Sequence, residues 1–172
     1  LQSMEVVYED NHIIIVNKHP GEIVQGDKTG DEPLVDTVRR YLKEKYDKPG
    51  NVFCGVVHRL DRPVWGLVVY AKTSKALARM NEMFRKGEVK KTYRAITRNM
   101  PPRPEDRLVH YITSTERNNK SHASATPRPG AKEAVLGYRL IASSDRYHLL
   151  EVNLETGRKH QIRVQLSAIG CH

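Results

Sequence analysis

The run Gly66-Leu67-Val68-Val69-Tyr70-Ala71 constrains this chain more than any other, because unbroken apolar and β-branched character over six positions suits a buried strand. The strand is expected to extend through Lys72-Thr73. Directly ahead of it stands His58-Arg59-Leu60-Asp61-Arg62-Pro63, which sets one carboxylate between two guanidiniums. A carboxylate titrates near ~3.9 in water, and adjacent cations favour its charged form. Asp61 is therefore expected as an anion on a loop braced by a buried element, and loops held on rigid scaffolds often carry function. On residue chemistry alone, an Arg-Asp-Arg cluster that merely fixes a loop reads equally well.

The rest of the chain alternates between the two periodicities. Val6 to Tyr8 and Ile13 to Asn17 read as strands joined through Asp10-Asn11, with His19-Pro20-Gly21 ending the second. Pro33 to Tyr46 spaces Leu34, Val38, Tyr41, Leu42 and Lys45 as one helix face before Pro49-Gly50 interrupts it. Ser74 is a suitable N-cap for a helix from Lys75 to Arg85, which carries Leu77, Met80 and Phe84 on one side and ends at Gly87. Thr92 to Thr97, Leu108 to Thr113, Ala134 to Ile141 and His148 to Leu154 read as further strands. Asn99 to Pro104 and Glu116 to Gly130 read as polar loops, the second with Arg117, Lys120 and Arg128 available either to touch RNA or to sit on a surface hairpin. From His160 onward, Ile162, Leu166 and Ile169 fall on one helical stripe that leaves Arg163 off it. The pattern predicts an α+β fold: a mixed, largely antiparallel sheet with packed helices.

Charge narrows the partners. The 172 residues hold 29 Lys plus Arg against 20 Asp plus Glu, a formal net charge of +9. Between His58 and Arg94 ten Lys or Arg face three Asp or Glu, so the excess gathers near Asp61. Such clustering suits phosphate neutralisation, although a solvated basic face has the same composition. The length suits one domain. No apolar run approaches the ~20 residues that span a bilayer, and no charged-then-apolar leader opens the chain, so a cytoplasmic protein without membrane association is expected. Cys54 and Cys171 lie far apart without a paired motif. Neither Cys54 with His58 nor Cys171 with His172 has the ligand spacing of structural zinc, and no metal requirement is expected.

Three ordered motifs carry a resemblance. His58 to Thr73 resembles the H-R-L-D-R-x-x-G-L signature, continuing into a strand that ends A-K-T, of the RluA-type RNA pseudouridine synthases. Lys91-Thr92-Tyr93-Arg94-Ala95 is similar to that family's K-x-Y-x-A motif, and Thr156 to Val164 to its T-G-R-x-H-Q-I-R-V motif. The opening run Val6 to Gly21 resembles the family's first hairpin, so the likeness spans essentially the whole chain.

The resemblance implies an isomerase that converts specific uridines of structured RNA to pseudouridine, with ribosomal RNA expected ahead of transfer RNA. It makes Asp61 the catalytic residue, acting either as a nucleophile or as the base that yields a glycal intermediate. Tyr93 becomes the ring that stacks on the uracil and Arg163 the counter-ion. A phenol titrating near ~10 is a poor base at neutral pH, which favours stacking over proton transfer for Tyr93. Arg59, Arg62, Arg158, His160 and Gln161 become candidates for binding RNA or shaping the pocket. The base must leave its stack to react. The rearrangement is redox-neutral, so no cofactor is expected, and a monomer acting on RNA is the simplest assembly.

Two departures from the family pattern stand out. Val64 and Trp65 replace small hydroxyl residues, and Trp65 reads equally well as a ring that stacks on a base or as a tryptophan packed in the core or its loop. Family catalytic domains also continue past the third motif, whereas this chain stops at Ile169-Gly170-Cys171-His172. A catalytic domain over 4–172 lacking its C-terminal part is therefore expected, with Leu1-Gln2-Ser3 as a cloning remnant. Two competing readings share these features: a noncatalytic RNA-binding module, and a carboxylate-dependent hydrolase of N-glycosidic bonds that would release free uracil.

Overall fold

A computed structural model describes residues 3–172, so the first two residues of the expected remnant lie outside it. The chain divides into two compact units, the first ending at Lys86 and the second comprising Gly87–His172.

In the first unit, β1 (Glu5–Glu9), β2 (Ile13–Lys18), β3 (Gly55–Val56) and β4 (Gly66–Ala71) form an antiparallel sheet in the order β1-β2-β4-β3. The alternation of β2 aims Ile14, Val16 and Lys18 at the interior, where they meet Val68 and Tyr70 of β4. Helix α1 (Leu34–Lys45) closes this core with Leu34, Val35, Val38 and Leu42, as its spacing predicted. Helix α2 (Ser74–Arg85) packs beside β4 and β3, close enough that a Cβ on Gly55 would come within 2.9 Å of Leu77.

The second unit is a five-stranded antiparallel sheet of β5 (Lys91–Thr97), β6 (Glu105–Thr115), β7 (Lys120–Ser124), β8 (Lys132–Ser143) and β9 (His148–Leu154), ordered β5-β9-β8-β6-β7. One face carries Leu108, Leu136, Tyr138, Leu150 and Val152, covered by Leu166 of α3 (Gln161–Ala168). The α+β class with largely antiparallel pairing is thus the observed architecture, and its strands divide between two sheets.

Three local expectations need correction. The N-cap of α2 is Thr73, whose Oγ1 accepts from the Ala76 N–H at 3.1 Å, while Ser74 is already helical. Thr73 is extended, the conformation a cap requires. The strand stops at Ala71 instead of reaching Thr73, which serves as the cap of the following helix. The segment Glu116 to Gly130, read as a loop, contains the edge strand β7, which pairs with β6 through polar residues that give no alternating apolar signal. The two-residue β3 is too short to leave a periodic signature.

Candidate active site

Asp61 is exposed in a tight turn that the Val64 N–H closes by donating to the Asp61 carbonyl at 2.9 Å. This loop is fastened from below by Lys18, fully buried at the end of β2. Its Nζ donates to the carbonyls of Val64 at 2.6 Å, Arg62 at 2.9 Å and His19 at 3.3 Å. The Gly21 N–H adds a second bond to the Arg62 carbonyl, at 2.9 Å. Burial pushes the Lys18 pKa down, opposed by the charges of Glu22 and Asp61. Three backbone acceptors satisfy an ammonium that would otherwise be costly to bury.

Lys18 was not among the residues that the motifs nominated. The signal for it was present, because a period-2 reading of Ile14, Val16 and Lys18 assigns a lysine to the core face.

The other residues around Asp61 also have defined partners. Arg62 donates through Nε to the Gly21 carbonyl at 3.0 Å and forms an ion pair with Asp31, so it ties the turn to the loop before α1. His58 accepts from the Val69 N–H at 3.0 Å through Nε2 and stacks on Phe84, with centroids 5.2 Å apart. Its ring proton is therefore on Nδ1. Gly66 opens β4 at φ +154, where a side chain would be strained, and its Cα faces Leu60. Arg59 is exposed.

In the second unit, Tyr93 is half-buried on β5 opposite Val152 and packs against the core that also takes Ile162 of α3. The second and third motifs meet here: a Cβ on Gly157 would lie 3.1 Å from Lys91 Nζ. Burial lowers the Lys91 pKa.

The turn from Thr156 to Gln161 is locked to β8. Thr156 Oγ1 accepts from the Val135 N–H at 2.9 Å and donates to Gln161 Oε1 at 2.9 Å. Gln161, buried, also accepts from the Arg158 N–H at 2.8 Å and donates to the Val135 carbonyl at 3.1 Å. Arg158 Nε donates to the Glu133 carbonyl at 2.9 Å. His160 takes a left-handed conformation (φ 54) to start α3, and Arg163 is exposed on that helix's first turn. Each half of the candidate constellation is thus held by backbone contacts within its own unit.

Among the described residues no group of three or more His, Cys, Asp or Glu could hold a metal ion, and no helix is long and apolar enough to cross a membrane. Both cysteines are buried, and burial pushes the Cys54 thiol up to about 12.

A family model described as RNA pseudouridylate synthase matches residues 12–168. The chain belongs to this family. The relatives include ribosomal large subunit pseudouridine synthase D of Zymomonas mobilis, 34% identical over 97% of this chain and 53% of that protein. A tRNA pseudouridine synthase C of Vibrio cholerae is 32% identical over 93% of this chain and 67% of that protein. Human RNA pseudouridylate synthase domain containing 4 has a similar structure, with TM-score 0.81 and 26% identity over 97% of this chain and 65% of that one. The chain spans about half the length of the first curated relatives it matches. The RluA-type resemblance of its motifs therefore reflects family membership.

Proposed function

We propose that this chain is the catalytic domain of an RNA pseudouridine synthase and that Asp61 is its catalytic residue. The observation that carries the reading is an exposed carboxylate on a turn whose backbone is fixed by a buried ammonium. Positioning of this kind is what converts a common side chain into a reactive one.

The reaction breaks the bond from ribose C1′ to uracil N1, turns the base, joins C1′ to C5 and releases the C5 proton. Asp61 supplies either the oxygen that attacks C1′ or the base that removes a sugar proton, and both routes use the carboxylate form. Tyr93 serves as the ring against the uracil and Arg163 as the cation the reaction needs, both by family resemblance. Arg59, Arg62, Arg158 and His160 contribute to holding RNA, and Gln161 shapes the turn that presents its neighbours. Unstacking the target costs a few kcal/mol, offset by stacking and phosphate contacts.

Ribosomal RNA is the favoured substrate, supported by relatives named for the large ribosomal subunit, although others are named for transfer RNA. The test is tritium release from C5-labelled uridine in ribosomal and transfer RNA. Release by the native chain and none by Asp61→Asn, at equal RNA affinity, supports the assignment. RNA binding without release from either substrate would instead identify a noncatalytic RNA-binding module, and free uracil a hydrolase.

A further inference from the structure

Trp65 is the sole tryptophan of the chain and 65% exposed, so it is neither a core residue nor packed within its loop. It is nevertheless held. Its indole Nε1–H donates to Asn17 Oδ1 at 2.9 Å, and the Asn17 amide is oriented in turn because its Nδ2 donates to Glu5 at 3.0 Å. The His19 ring lies beside it, with centroids 5.9 Å apart and planes inclined at 33°. An exposed indole fixed at its polar edge leaves its face open without the rotational freedom of an ordinary surface side chain.

The placement of this ring pair links it to Asp61. Lys18 Nζ donates to the carbonyls of both Val64 and His19, the residue before Trp65 and the residue whose ring lies beside it. The same ammonium holds the turn that carries Asp61. A closed four-residue turn spans less than ~7 Å, so the Cα atoms of Asp61 and Trp65 lie within about 11 Å. That distance matches one or two nucleotides along a strand.

We propose that Trp65 and His19 form a stacking platform for an unpaired base that neighbours the uridine delivered to Asp61. The proposal rests on the reading of this chain as an RNA-modifying enzyme. It assigns the substrate a single-stranded nucleotide beside the target, and it gives a role to a position where the family's usual small hydroxyl residue offers no ring. Nearby Arg59, exposed on the same loop, supplies positive charge that draws a phosphate backbone to it. Stacking on an indole tolerates any base and adds no phosphate contact, so it strengthens binding without changing salt sensitivity.

The lone tryptophan makes the test direct. Its fluorescence is titrated with oligouridylate and with an abasic ribose-phosphate chain of the same length, for the native chain, Trp65→Phe, Trp65→Leu and Asn17→Ala, with affinities of the dark variants read from labelled RNA. The expected result is quenching by oligouridylate and little by the abasic chain. Trp65→Leu should bind oligouridylate roughly 5- to 150-fold more weakly, the range that loss of one aromatic stack implies. Trp65→Phe should recover part of that loss, and the slope of log affinity against log salt should stay unchanged. Asn17→Ala, which keeps the indole but releases it, should fall between native and Trp65→Leu.

Equal quenching by the abasic chain, or unchanged affinity in Trp65→Leu, would overturn the platform. C5 tritium release measured on the same preparations separates the two readings. Release with no base-dependent quenching removes the platform and leaves the enzyme. Base-dependent quenching without release leaves the platform on a noncatalytic RNA-binding protein. In an active enzyme Trp65→Leu should raise KM more than it lowers kcat.

Discussion

Lys18 Nζ donates to the Val64 carbonyl at 2.6 Å, and through this bond a residue of the opening hairpin sets the backbone of the Asp61 turn. The same atom reaches the Arg62 carbonyl, so two acceptors across the turn share one buried cation. Asp61 owes its position to a side chain more than forty residues earlier in the sequence.

Lys18→Met should therefore act on chemistry ahead of binding. The substitution leaves the carbonyls of Arg62 and Val64 without their buried donor, a loss of about 1–3 kcal/mol in stability. Tritium release is expected to fall at least ~10-fold in kcat, the effect of a small displacement of a reacting group, with a smaller change in RNA affinity. Native kcat in a folded Lys18→Met chain would show that the turn holds itself.

The strongest acid dependence in the first unit should come from Glu9. Its carboxylate side chain is 7% exposed, and burial alone would raise its pKa. Hydrogen bonds from Lys72 at 2.7 Å, Tyr46, Lys45 at 3.0 Å and Tyr41 at 2.9 Å overcome that and hold it at about 2, below the ordinary 4.5. A carboxyl whose folded pKa is depressed stabilises the fold fully above its unfolded value. That contribution is lost as pH falls from about 4.5 toward 2. Glu9→Gln should lower stability at pH 7 by about 2–3 kcal/mol, the lower side of the cost of breaking a buried pair, since Lys45 reaches water. It should also flatten the stability profile across that acid window. Denaturant melts at pH 7 and through the window check both; an equally steep acid loss in Glu9→Gln would place its origin elsewhere.

Gln161 offers a contrast between binding and bracing. Its amide joins Thr156, Arg158 and Val135, all within one turn and one strand. Gln161→Leu should cost about 2 kcal/mol of stability through unsatisfied backbone and hydroxyl groups. Thermal melts alongside RNA titration settle the matter: lost affinity at native Tm would make Gln161 a direct RNA contact.

For Tyr93 and Arg163 the ring and the charge can be removed separately. Tyr93→Phe should preserve more RNA affinity than Tyr93→Leu, because the ring face survives, although both truncate a residue packed on the second core. Arg163→Met should reduce tritium release by more than ~10-fold with little change in Tm, since the side chain is exposed. A lowered Tm with proportionate activity would assign Arg163 to structure.

Much of this fold is legible without coordinates where periodicity is strong. The stripe Leu34, Val38 and Leu42, the strand Ile13 to Asn17 and the strand His148–Leu154 each coincide with an observed element, the second extending one residue further to Lys18. The edge strand β7 was hidden because Ala123 is its one apolar residue and no alternation results, so only pairing to β6 defines it. The cap of α2 fell one residue earlier than expected because Thr73 and Ser74 are chemically equivalent caps, and the backbone angle chose between them.

The candidate site divides in the same way. Composition and three motifs marked Asp61, Tyr93 and Arg163 by residue type and order, because reactive chemistry demands particular functional groups. The sequence by itself also determined the family, the α+β class and the basic character of the chain. Only the tertiary structure decided what holds the Asp61 turn, because Lys18 reaches the carbonyls of Arg62 and Val64 through a strand pairing that joins β2 to β4. It likewise decided that Gln161 is buried with its amide engaged while Trp65 stands exposed with its edge fixed. Residue type limits which bonds a side chain can make, whereas burial and partner geometry depend on segments that the chain brings together only on folding.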